Sequence, residues 1–246
     1  MTTNVMPRRA PLSAERRFFA TMALIVLLTT FIGFAPSYYL RGLVPAPHPY
    51  EVLRPYVFFH GFLFSSWVIL FLVQTLLVSA GRTDIHRRLG LIGALLVAAM
   101  IPTALVVAVL GVGRPLTAAP GISPLSWLAL PLLDVPVFAG LIITALFKRR
   151  DSAAHKRLML LAMVDMMRPS FGRLLPLLGA GGPLPLLLPL LMLLPLPIFD
   201  LVTRGKIQKA TLWGSLAVFG VTVLTLAVWM TPPWLAFANW ISRPFL

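Results

Sequence analysis

Cysteine is absent from the 246 residues, which excludes disulfides, thiolate metal sites and a cysteine nucleophile. Acidic side chains are scarce: seven Asp and Glu stand against 21 Lys and Arg, for a formal net charge of +14. So few carboxylates leave no cluster able to hold a Mg²⁺–diphosphate. Charged residues of either sign make up only 11% of the chain. An average soluble domain carries about 25%, so this chain lacks the polar surface needed to face water. Also missing are a P-loop, a His-Glu-x-x-His pair, a Gly-x-Ser-x-Gly elbow and a dinucleotide fingerprint. ATPase, protease and prenyl-transfer chemistry therefore find no support, and no catalytic residue is assigned.

What is present is apolar. Hydrophobic residues make up 59% of the chain, and mean hydropathy is +0.90. Apolar runs place membrane spans at 18–36, 55–79, 88–111, 124–147, 156–178, 184–203 and 210–230. Each approaches the roughly 20 residues that cross a bilayer as a helix. Helices are the default because every backbone group must be bonded internally in hydrocarbon. The Leu-rich runs do not alternate as barrel strands would. The expected fold is all-α, a polytopic transmembrane bundle of about seven spans. It comprises an N-terminal segment (1–17), the bundle (18–230) and a C-terminal tail (231–246).

The excess of basic residues reads as topology rather than nucleic-acid binding, since no basic face with interleaved aromatics exists. Arg8, Arg9, Arg16 and Arg17 precede the first span, and Arg82, Arg87 and Arg88 separate the second from the third. Lys148, Arg149, Arg150, Lys156 and Arg157 separate the fourth from the fifth; Arg204, Lys206 and Lys209 separate the sixth from the seventh. These are 15 of the 21 cationic residues. The opposite side holds Arg41, Arg54, Arg114 and Arg243. The positive side faces the cytoplasm, so the N-terminus is expected inside and the C-terminus outside, in a bacterial inner membrane. The basic start has no Ala-x-Ala cleavage site ahead of Tyr38 and reads as a retained signal anchor. The Pro pair at 232–233 blocks continuation of the last span, and Trp229, Trp234 and Trp240 suit an interfacial belt. The sixth span, crowded with prolines, is expected to kink.

A short repeat stands out. Thr83-Asp-Ile-His86-Arg-Arg-Leu89 opens the third span, and Ser152-Ala-Ala-His155-Lys-Arg-Leu158 opens the fifth, 69 residues later. In both, the Ser or Thr reads as an N-cap and the His falls in the first turn. Spans two–three and four–five therefore read as parallel repeats. His86 and His155 should lie at one depth on the cytoplasmic side. Two facing imidazoles are the axial set of a six-coordinate haem b, with Arg87, Arg88, Lys156 and Arg157 available to the propionates. The competing reading leaves both histidines at the water interface with no ligand.

Ionisable groups within the spans form a second candidate. His60 lies roughly 8 Å from the outer end of its span, at about 1.5 Å per residue. Asp134 and Asp165 fall near mid-membrane, followed by Arg168 and Arg173. One reading is an outer-half polar cavity lined by His60, Asp134, Asp165, Arg168 and Arg173, receiving an anionic headgroup, a quinone or protons. The other is that the two Asp neutralise the two Arg and hold the helices in register. Asp200 and Arg204, four residues apart, read as an interfacial pair.

The series His60…Gln74…His86-Arg-Arg-Leu-Gly90…His155-Lys-Arg-Leu-Met159…Arg173 resembles a large group of uncharacterised bacterial multispan membrane proteins. The likeness covers about residues 55–175. That layout is similar, more distantly, to four-helix di-haem cytochromes b. The resemblance supports His60, His86 and His155 as the functional histidines; haem b as cofactor and electron transfer as activity, with a quinone or another electron carrier as partner, are the expectation that the facing His86–His155 pair adds. Only three membrane histidines are present, so two bis-His sites cannot be assembled. The cofactor-free alternative is a transporter or lipid-binding protein using the outer-half cavity.

Overall fold

A computed structural model describes residues 13–45, 53–114, 122–179 and 184–245. Most of the expected N-terminal segment and of the Gly-rich turn at 179–183 therefore lies outside the described residues.

The described chain is helical. In order come α1 (Ala14–Phe34), α2 (Pro55–Ser79), α3 (Thr83–Gly111), α4 (Pro124–Trp127), α5 (Ala129–Phe147), α6 (Ser152–Asp165), α7 (Arg168–Leu177), α8 (Leu184–Leu191), α9 (Pro195–Arg204), α10 (Lys209–Val228) and α11 (Pro232–Ser242). Six segments are long and apolar enough to cross a membrane: Ala14–Tyr39, Pro55–Ser79, Thr83–Gly111, Pro124–Phe147, Leu187–Arg204 and Lys209–Val228. Large apolar side chains such as Phe58, Phe62, Leu91, Phe147 and Trp213 cover the outside. Water would reject such a surface, and lipid accepts it.

Helix starts follow local chemistry. Ser13 caps α1, its hydroxyl accepting from the Arg16 N–H at 3.3 Å. Pro55 opens α2, at a position where its missing N–H has no helical partner to lose. The Pro pair at 232–233 behaves the same way. It ends α10 as expected, but Thr231 then caps a new helix, α11, with Pro232 at its first position. The tail is thus helical, where the sequence suggested only a stop. The sixth span is broken as expected, into α8 and α9 around Met192–Leu194.

The fifth expected span, 156–178, is not a continuous helix. It is interrupted at Met166–Met167, between α6 and α7. Pro169 has no N–H for the Asp165 carbonyl, so the α-helical ladder cannot pass through. α6 is the most enclosed helix of the bundle, packed against α5, α10 and α1. Arg157, Leu158 and Leu160–Asp165 are all buried. α7 packs on α1 where Gly33 permits close approach: a Cβ there would stand 2.5 Å from the Ser170 carbonyl oxygen.

Contacts between helix ends divide the molecule into two faces. The Arg16 guanidinium donates to the Ser79 carbonyl at 3.1 Å, joining the start of α1 to the end of α2. Glu15 pairs with Lys156 at 2.7 Å and Arg204 at 3.2 Å, adding the start of α6 and the end of α9. At the other face, Tyr39 and Ser65 share a 2.7 Å hydrogen bond, and the Trp234 indole donates to the Leu125 carbonyl at 3.0 Å.

Candidate functional site

His86 and His155 meet. Their ring centroids are 6.3 Å apart and their planes are nearly perpendicular, at 84°. α3 and α6 deliver them from equivalent first turns, although the caps differ from expectation. Asp151, not Ser152, caps α6, accepting from the Ala153 and Ala154 N–H groups at 3.1 Å. A carboxylate that satisfies two orphan donors outcompetes the hydroxyl one residue later. α3 starts after Arg82, which forms an exposed 3.2 Å pair with Asp84 and leaves Thr83 inside the helix.

Hydrogen bonds orient the pair. The His155 Nδ1 lies 2.8 Å from the Ala145 carbonyl, which can only accept, so Nδ1 is the donor. The Gln74 amide donates to the His86 carbonyl at 3.1 Å. His86 Nδ1 and Gln74 Oε1 are both buried without a hydrogen-bond partner. Arg87 and Arg88 are exposed beside His86.

Arg157 does not belong to this site. Two residues along a helix correspond to a rotation of about 200°, so Arg157 turns away from His155 and is fully buried. Its Nε and Nη2 donate to Asp200 at 3.0 and 2.5 Å, and its Nη1 donates to the Ala153 carbonyl at 2.9 Å. Asp200 also accepts from the Thr211 hydroxyl at 2.5 Å and the Gln208 N–H at 3.1 Å. The expected Asp200–Arg204 pair is therefore replaced by Asp200–Arg157, while Arg204 reaches Glu15. Lys156, also expected near the propionates, pairs with Glu15.

The five residues of the expected outer cavity separate into two groups. Asp134, Asp165 and Arg168 come together: Arg168 pairs with Asp134 and lies 3.6 Å from Asp165. Its Nη2 donates to the Thr222 hydroxyl at 2.6 Å, a partner on α10 that the sequence did not single out. His60 instead packs against Phe64, with ring centroids 4.2 Å apart. The Arg173 guanidinium lies 4.4 Å from the Phe34 ring centroid and donates to the Pro169 carbonyl at 3.0 Å. Two cavities, of about 320 and 260 Å³, lie elsewhere; Leu133, Leu224 and Trp234 line the first, Ala20, Leu24 and Leu72 the second. Among the described residues no group of three or more His, Cys, Asp or Glu is placed to hold a metal ion. No protein-family model, curated protein or solved structure matches this chain.

Proposed function

We propose that the protein is an electron-transfer protein of the bacterial inner membrane in which His86 and His155 hold a haem b at the cytoplasmic boundary. The observation that carries this reading is the separation of the two rings. A metal–imidazole bond of about 2 Å puts a ring centroid roughly 3 Å from the metal, so two imidazoles on one metal have centroids up to about 6 Å apart. The rings stand 6.3 Å apart. The donor set fits as well: His155 has its Nδ1 proton fixed on a carbonyl, the usual arrangement of a ligating histidine.

When bound, haem b supplies one-electron chemistry. The chain's part is to present two imidazoles from rigid helices, hold His155 in one tautomer through Ala145, and offer Arg87 and Arg88 to the propionates. A quinone near His60 and Arg173 is the electron partner that goes with this reading. The test is the absorbance spectrum of the full-length protein purified after haem-replete expression. Soret and α bands are expected, lost in His86→Ala and in His155→Ala and retained in His60→Ala. A folded, colourless protein overturns the assignment.

The same reading has seven spans, with α6 and α7 together forming the fifth. The N-terminus and the face bearing Lys156 and Arg204 lie inside, and the C-terminus outside. Because the chain has no cysteine, single-cysteine variants need no background removal. A cysteine at position 150 is expected to react with an impermeant maleimide only after cells are opened, and one at position 243 in intact spheroplasts. Reversal of either result would remove the shared-boundary placement of the histidines.

A further inference from the structure

The charges around the break between α6 and α7 do not balance. Asp134 and Asp165 supply two carboxyl groups, and Arg168 supplies one guanidinium. The other helices packed here add nothing: α5 carries no ionisable residue besides Asp134, α10 none after Lys209 and α1 none after Arg17, while those of α3, which packs on α5, all lie in its first six residues. Arg173, further along α7, donates to the Pro169 carbonyl and stands against the Phe34 ring. α8, which packs on α7, carries none at all.

Arg168 is committed elsewhere. Its Nη1 is taken by Asp134, and its Nη2 by the Thr222 hydroxyl at 2.6 Å and the Val218 carbonyl at 3.4 Å. Asp165 lies 3.6 Å from that same Nη2, beyond a good hydrogen bond. Thr222 cannot help, because its hydroxyl proton is directed to the Val218 carbonyl at 2.9 Å. Both Asp165 carboxyl oxygens are therefore buried with no donor, on a residue only 1% exposed. A carboxylate in that condition is among the costliest groups a bilayer interior can hold. A carboxylic acid is far cheaper, and it makes the three-residue cluster electrically neutral.

We propose that the Asp134–Arg168–Asp165 cluster is a proton-binding site inside the membrane, with the proton carried by Asp165 while Arg168 is closed on Asp134. The chemistry is proton transfer: an O–H bond forms on one Asp165 carboxylate oxygen as one breaks in the hydronium ion that delivers the proton. The same geometry provides a transfer route within the cluster. If Arg168 turns from Asp134 to Asp165, Asp165 ionises and the proton passes to Asp134, whose side chain is 17% exposed. The cluster thus keeps one proton and changes which carboxyl holds it.

Infrared difference spectroscopy on the reconstituted full-length protein tests this. A carbonyl stretch of a protonated carboxylic acid is expected at neutral pH, shifted in D2O. It should vanish in Asp165→Asn, which keeps the shape and neutrality of the acid and should unfold no more easily than the parent. It should also vanish in Asp134→Asn, because Arg168 is then released to pair with an ionised Asp165. Absence of the band in the parent, its survival in Asp165→Asn, or failure of Asp165→Asn to fold would each overturn the proposal. Loss of the band on adding sodium would assign the site to a metal cation and overturn it equally.

Discussion

Arg157→Ala is expected to lower unfolding stability by about 3–5 kcal/mol, the range for breaking a buried ion pair by removing one partner. Both side chains of the Arg157–Asp200 pair are fully buried. Removing the guanidinium strands a carboxylate whose remaining donors are the Thr211 hydroxyl and the Gln208 N–H. The loss is not confined to one contact. Asp200 receives α6 through Arg157 and the start of α10 through Gln208 and Thr211, so the ends of three helices loosen together. Arg157→Lys should recover only part of the loss, since a lysine cannot reproduce the forked contact to Asp200 or the third bond to Ala153. Replacing both partners, as Arg157→Met with Asp200→Leu, should restore most of it because no charge is left unpaired. Chemical unfolding of the purified variants in detergent measures all three. A parent-like midpoint for Arg157→Ala would mean that water reaches Asp200.

The contrast between Arg157 and His155 shows what the sequence carries and what it hides. The apolar runs locate the spans because lipid solvation acts on each segment separately, and six of them appear as helices long and apolar enough to cross. The matched turns around His86 and His155 are legible for the same reason. A first-turn position fixes depth from sequence alone, and the two rings do meet. Pro169 likewise marks the break after Asp165, because its missing N–H is a local fact. Partners across the bundle are not local. Asp200 has Arg204 four residues away in sequence, yet it pairs with Arg157, 43 residues away, because α6 and α9 bring them together. Arg157 was grouped with His155 by adjacency, whereas rotation around α6 turns it to the opposite side. Glu15, Thr211 and Thr222 give no sequence signal of their own: each matters only because another helix delivers an arginine, lysine or aspartate to it. The residues of the expected outer cavity divide for a related reason. Similar depth put five polar residues in one list, but neighbouring helices divide them between a packed ionic cluster and a pair of ring contacts.

Arg168→Ala should destabilise by about 3–5 kcal/mol in its turn, and its rescue pattern differs from that of Arg157. Removing Arg168 leaves two carboxyl groups, Asp134 and Asp165, with no cation in contact. If Asp165 already carries a proton, the new cost falls on Asp134 alone. Adding Asp134→Asn to Arg168→Ala should then recover most of the lost stability, and adding Asp165→Asn instead should recover little. If both carboxyls were ionised in the parent, each asparagine would recover a comparable share. A double-mutant cycle on the three residues, read by unfolding midpoints at constant detergent, separates the two cases because coupling between touching groups is measurable. The asymmetry has a structural basis. Arg168 is bonded to Asp134 and to Thr222, but stands off from Asp165, so the guanidinium is matched to one acid and not shared between two. Equal rescue by the two asparagines would show instead that Arg168 divides its charge between them, and Asp165 would then have no need of a proton.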